Sequence, residues 1–153
     1  MLPSQRPEII AYNFRMAESF NHWTGRHLVE ADDSPEALAH ALYHAPFVVL
    51  SHGTQPDPLF RYANLTAQTL WEMPWQEFIG LPSRLSAEPD ARGERERLLA
   101  RAQKNGYVDD YRGVRITKSG RRFRIMDTIL WNVVDEQGSR IGQAATFDHW
   151  EWL

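Results

Sequence analysis

One carboxylate in this chain stands in a costly place. Between Arg122 and Val134 the residues alternate: Phe123, Ile125, Ile129, Trp131 and Val133 fall on one side of an extended segment, Arg122, Arg124, Thr128 and Asn132 on the other. Asp127 belongs to the apolar series. A carboxylate buried there costs several kcal/mol unless it is paired or hydrogen-bonded, so the pattern predicts a partner: Arg112 or Arg115 in the preceding segment, or Gln143 in the following one. Three readings stand side by side. Asp127 anchors the donor group of a ligand on a cavity wall, it forms a structural pair with an arginine, or a β-bulge turns it outward. A hydrolase or isomerase built on this frame would use it as a base.

The arginines are the second group able to bind something. Arg84, Arg92, Arg95 and Arg97 cluster within fourteen residues. Arg95 lies three residues before Leu98 and four before Leu99, which puts it on the inward stripe of a helix. The others alternate with Glu94 and Glu96 as a solvated face, and Ser83-Arg84 beside Pro82 is a candidate anion contact. Arginine outnumbers lysine fifteen to two, a bias that suits bidentate anion recognition and equally suits a GC-rich coding sequence.

The remaining constellations carry less. His40 and His44 have the spacing of a metal pair, but they lie opposite Leu38 and Leu42 and lack a third ligand, so no metal site is expected. His22, His52 and His149 are isolated; His52 adjoins a loop and could titrate near neutral pH. Glu72/Glu77 and Asp109/Asp110 are acid pairs without an arrangement that would separate their pKa values. There is no G-x-S-x-G, G-x-G-x-x-G, P-loop or H-E-x-x-H. The absence of cysteine excludes a thiol nucleophile, a Cys-bearing zinc site, an iron–sulfur cluster and c-type haem attachment.

These groups need elements to hold them. Pro7-Glu8 opens a helix to about Phe20, with Ile10, Phe14, Ala17 and Phe20 along one side and Ile9, Met16 and Trp23 widening it. A face that broad predicts two contacts, one with the chain's own sheet and one elsewhere, such as a second copy. Asp33 or Ser34 caps a second helix that begins at Pro35 and stops before Pro46. The apolar run Phe47–Ser51 reads as a buried strand, 52–58 as a loop, and Leu59–Ala63 as a second strand. Asn64 caps a helix over Leu65–Trp71, and Pro74 starts another over Trp75–Phe78. A long charged helix covers Arg92–Gln103. Strands are predicted at Tyr107–Thr117, Arg122–Val134 and Arg140–His149, joined by hairpin turns at 118–120 and 135–138. Gly113 marks a bend or a close approach within its strand.

Composition bounds the rest. The 153 residues suit one domain with a continuous core, and an apolar fraction of 42% with six Trp is ordinary for a folded globule. A formal charge of −3 argues against a nucleic-acid surface. No apolar run is long enough for a membrane helix and no signal-peptide pattern opens the chain. With zero Cys, a cytoplasmic location is expected.

Residues 46–80 follow the order strand, turn, strand, Asn, helix, helix, Gly in which PAS sensor domains begin. The strings HWTGR (22–26), APFVVLSHGT (45–54), LWEMPWQEF (70–78), PSRLSAEP (82–89), RGERERLL (92–99), DYRGVRI (110–116), SGRRF (119–123) and GQAATF (142–147) resemble the MEKHLA domain, a PAS-related family. That family occurs in stand-alone bacterial proteins of this size and at the C-terminus of plant homeodomain–leucine-zipper factors. No homeodomain or zipper is present here, so the transcriptional role is not carried over.

The resemblance implies an α+β fold: a PAS-like antiparallel sheet of about five strands with helices packed on one face, and two extra N-terminal helices. Residues 1–45 would form a helical cap and 46–150 the core of a single domain. It implies a non-catalytic sensory or regulatory role, with a small molecule in the cupped sheet altering how the domain docks, or alternatively a docking scaffold with a filled core. The expected cavity lining is Phe47, Val49, Trp71, Phe123 and Ile125, with Trp131 and the polar groups of Arg95, Arg115, Asp127 and Gln143. Trp75 is a further aromatic candidate. The ligand is unknown. Lack of Cys rules out flavin–cysteinyl and thioester-linked chromophores, and the 92–103 helix offers no histidine to a haem. The expected partners are that small molecule and a second copy through the first helix, with neither nucleic acid nor membrane.

Overall fold

The computed structural model describes residues 1–31 and 34–153. Its helices are α1 (Pro7–Thr24), α2 (Pro35–Tyr43), α3 (Leu65–Trp71), α4 (Trp75–Phe78) and α5 (Pro89–Asn105), with single 3-10 turns at Pro3–Gln5 and Ser83–Ser86. The strands are β1 (Val48–His52), β2 (Phe60–Ala63), β3 (Tyr107–Ile116), β4 (Arg122–Val134), β5 (Arg140–Phe147) and β6 (His149–Trp152). Proline stands in the first turn of α1, α2 and α5, where its missing N–H has no partner to lose. Ser34 Oγ accepts from the Ala37 N–H at 3.0 Å; Asp33, the alternative cap, lies outside the described residues. Helix α1 continues to Thr24, and α5 begins at Pro89, three residues earlier than the charge pattern indicates.

The sheet is antiparallel in the order β2-β1-β5-β4-β3, with β6 also on β4. The strand expected over Arg140–His149 is in fact two. β6 follows β5 past Asp148 and pairs with the first half of β4, Met126 opposite His149, while β5 pairs with the second half, Ile129 opposite Thr146.

One face of the sheet is filled by α3, α4 and α5 around Val48, Leu50, Phe60, Trp71, Phe78, Phe123, Leu130 and Phe147. The other is covered by α1 and α2 through Tyr12, Met16, Phe20, Leu42, Val49, Tyr62, Trp131 and Val133. A sheet covered on both sides explains why all five residues of β1 are buried and why that strand reads as an unalternating apolar run. The indole N–H of Trp131 donates to the Met16 carbonyl (3.1 Å) and that of Trp23 to the Asn132 carbonyl (2.9 Å). The second contact of α1 is internal as well: it packs against α2.

Asn64 joins the elements at the centre. Its Oδ1 accepts from the N–H of Val49 and of Ala67, both at 3.1 Å, and its Nδ2 donates to the carbonyls of Leu42 (3.1 Å) and Phe47 (2.8 Å). One buried amide therefore caps α3, closes the β1 edge and holds the α2–β1 connection. Among the described residues no helix is long and apolar enough to cross a membrane.

A cavity beneath the long helix

Between the sheet and α5 lies a cavity of about 40 Å³. Its walls are mostly apolar, from Leu50, Phe60, Trp71, Ile125, Leu130 and Phe147, and polar residues among its lining are Arg95, Arg115, Tyr111, His52, Gln143, Ser51 and Ser86. It adjoins an open cleft of about 320 Å³ between the 53–58 loop and α5, and His52, Arg95, Leu99 and Gln143 border both spaces.

Five of the ten residues expected to line a cavity meet here: Trp71, Arg95, Arg115, Ile125 and Gln143. The other five do not. Val49 and Trp131 point to the opposite face, beneath α1, and Phe47 packs half-buried on that side. Phe123 is core, its ring 5.1 Å from that of Trp71, and it stays clear of the cavity. Asp127 is exposed, with φ of 49°.

On β1, Val48 and Leu50 take the α5 side, so alternation sends Val49, and Phe47 before it, to the other. For β4 a pair of compensating bulges accounts for the corrections. Along β3 and β4, Val108 pairs with Leu130, Tyr111 with Thr128 and Gly113 with Ile125. Asp109 and Asp110 together therefore oppose Ile129, while Met126 and Asp127 together oppose Arg112. Each bulge shifts the register by one residue and the second restores it. Because side chains alternate with period 2, the strand changes faces at Asp127. Phe123 and Ile125 thus face α5 together with Leu130, while Ile129, Trp131 and Val133 face α1. Asp127, at the turn-over point, goes out to solvent in a left-handed conformation that a short polar side chain tolerates. The expected bonds from Asp127 to Arg112, Arg115 or Gln143 are absent.

The arginines, Gln143 and one nitrogen of His52 are held locally, while the Trp71 indole N–H and His52 Nε2 are buried without a partner. Arg95 donates to Ser83 Oγ at 2.8 Å, and Arg115 donates to the Val114 carbonyl (2.9 Å) and to the Tyr111 hydroxyl. Gly113 makes room for this fold-back, since a Cβ there would lie 2.8 Å from Arg115 Nη1. Gln143 Nε2 donates to the Leu99 carbonyl at 3.0 Å, tying β5 to α5. His52 Nδ1 is 2.9 Å from the Gly53 carbonyl, which can only accept, so the proton sits on Nδ1 and Nε2 is a bare acceptor. Burial pushes the pKa of His52 down to about 4, the Gly53 bond opposing it and the nearby Arg95 charge reinforcing it. The imidazole is neutral at physiological pH. Its role was not legible beforehand, because an isolated histidine beside a loop carries no sequence signal.

The surface candidates stay at the surface. Arg84 pairs with Asp57 at 3.2 Å, and the exposed rings of His40 and His44 lie 4.5 Å apart. No group of three His, Asp or Glu able to hold a metal occurs among the described residues. Trp75 packs against Tyr43 and Tyr62 on the α1 side.

With this geometry in view, the comparisons are consistent. The family model of the MEKHLA domain matches residues 11–152. Among solved structures, the chain is similar to the PAS domain of a protein from Colwellia psychrerythraea, with a TM-score of 0.64 and 16% identity over 75% of this chain and 92% of that one. It is also similar to a light-oxygen-voltage domain from work on a flavin analogue, with a TM-score of 0.61 and 17% identity over 76% of this chain and 84% of the other. An RNA-binding light-oxygen-voltage receptor matches with a TM-score of 0.59 and 19% identity, over 78% of this chain and 34% of the receptor. At these identities the likeness is one of fold. No curated protein matches the sequence.

Proposed function

Since the chain belongs to the MEKHLA domain family and has the PAS fold, we propose that it is a non-catalytic sensory module that takes a small molecule into the cavity beneath α5. The observation that carries this reading is the cavity itself: a mixed apolar and polar space, bordered by an open cleft, between the sheet and α5. Among the described residues no carboxylate lines it, and Asp127, the base that a hydrolytic reading would need, is on the surface.

Occupancy has a route to the outside. His52 and Gln143 at the cavity lie on β1 and β5, and the reverse side of those strands carries α1. A ligand that favours one spacing of β1 and β5 would shift how α1 sits, and thereby what the domain docks to, through its differential affinity for the two arrangements.

The size of the cavity favours a second reading. About 40 Å³ holds a few waters, far less than a flavin ring needs, and such a space also suits a docking scaffold with a filled core. Native mass spectrometry of gently purified protein separates the two. A retained mass that leaves on denaturation, with hydrogen exchange altered in α1 when it leaves, is the expected result. A clean apo mass together with indifference of α1 to added small molecules would reject the sensor in favour of the scaffold.

A further inference from the structure

Two guanidinium groups lie inside this fold without an ion-pair partner among the described residues. Arg95 is 7% exposed and Arg115 6%, and both line the cavity. The ion pairs among the described residues all lie elsewhere, on the surface, and use Arg15, Arg84, Lys118, Arg122 and His149. The protein acceptors of the buried pair are neutral: Ser83 Oγ for Arg95, and the Val114 carbonyl and Tyr111 hydroxyl for Arg115.

This arrangement is unfavourable as it stands. A guanidinium cannot shed its proton at physiological pH, and a charge out of water is normally compensated by a paired carboxylate. Placing a second guanidinium near the first adds repulsion. Both effects are visible at Arg95, whose pKa is pushed down to about 10, first by burial and then by the Arg115 charge. The indole N–H of Trp71, another lining residue, is buried without an acceptor and adds a donor to the two guanidiniums. The unpartnered Nε2 of His52 is an acceptor instead, and it stands where the cavity borders the cleft.

We propose that the cavity is an oxyanion site and that its ligand is a small carboxylic acid, the carboxylate held by Arg95 and Arg115. The proposal rests on the sensor reading and adds the chemistry of what is sensed. Leu50, Phe60, Ile125 and Leu130 would surround the body of the ligand, which selects a short apolar chain or ring. Phosphate is disfavoured by the same walls, because its oxygens need acceptor-directed hydrogen bonds on every side. Entry is from the 53–58 cleft, past Arg95 and His52.

The test is thermal unfolding of the full chain in a carboxylate-free buffer at constant ionic strength. Probes are acetate, propionate and benzoate, with propionamide and benzamide as neutral isosteres and inorganic phosphate as the competing anion. A saturable rise in Tm with at least one carboxylate, absent with its amide, is the expected result. Arg95→Met and Arg115→Met should each weaken that carboxylate by roughly a hundredfold. If either variant fails to fold, the carboxylate–amide contrast in the wild-type protein still decides. Equal response to acid and amide, or a response to phosphate alone, overturns the assignment. A neutral molecule retained in the native mass spectrum overturns it while leaving the sensor reading intact; no binding of anything, with α1 indifferent, sinks both.

Discussion

The hydroxyl of Tyr12 lies 2.6 Å from Ser51 Oγ, and through this pair α1 is fastened to the back of the strand whose next residue, His52, borders the cavity. Ser51 Oγ also donates to the Gln143 carbonyl at 2.8 Å. A serine has one proton to give, so Tyr12 is the donor and the chain runs Tyr12 to Ser51 to Gln143. Gly142 completes the fit: a Cβ there would collide with the Tyr12 hydroxyl and lie 2.8 Å from the His52 carbonyl. The guanidinium of Arg61 stacks on the Tyr12 ring at 3.7 Å from its centroid. The cap helix and the cavity wall are thus two sides of one β1–β5 ladder.

Removing the hydroxyl should loosen the helix before it harms the core. Tyr12→Phe is expected to lower the local stability of α1 by about 1 kcal/mol, with amide exchange accelerating in α1 and unchanged in α5. Hydrogen exchange by mass spectrometry checks this; equal acceleration in both helices would mean that Tyr12 merely contributes to global stability.

Asn64 should be among the least replaceable residues. Asn64→Ala removes an N-cap and strands two buried N–H groups and two carbonyls, so a loss of roughly 2–4 kcal/mol is expected. Asn64→Asp should fare little better, because it keeps the acceptor and loses both donations, to Leu42 and Phe47. Urea unfolding of both variants measures the difference.

The depressed pKa of His52 carries a signature in pH. The folded value, about 4, lies below the ordinary value of 6.5, so the unfolded chain binds the proton more readily. The associated stability is present above pH 6.5 and is lost as pH falls from 6.5 through 4, by on the order of 3 kcal/mol. His52→Gln should flatten this interval relative to wild type when stability is followed by denaturant titration at each pH. Parallel curves would show that His52 does not remain neutral and buried.

Asp127 provides a control. At φ 49° and exposed, it is a position where glycine is at no disadvantage, so Asp127→Gly should leave stability unchanged or raise it by up to about 1 kcal/mol. It should not alter any ligand response. A large destabilisation would restore Asp127 to a buried, partnered role.

Most of the fold was legible locally. Proline and Ser34 mark where α2 begins, Asn64 where α3 does, and the hairpin turns at 118–120 and 135–138 delimit β4, whose ends fall where the alternation places them. The resemblance to the MEKHLA family carried the topology, which local signals do not encode. The break at Asp148 was missed, because β5 and β6 keep one register against β4 and nothing in the spacing marks the interruption.

Which way each side chain faces was settled by packing. Alternation assigns a strand's residues to two sides, but both sides of this sheet are covered, and the pattern does not say which layer each series meets. A one-residue bulge at Asp127 exchanges the sides without disturbing the pattern, so Trp131 goes to α1 while Leu130 goes to the cavity. The buried arginines show the same division. Helical spacing put Arg95 on the inward stripe of α5, because i, i+3 and i+4 neighbours share a face. That Arg115 folds back over Gly113 to meet the same cavity depends on the turn at Gly106 laying β3 under α5, a packing that the periodicity of either element alone does not encode.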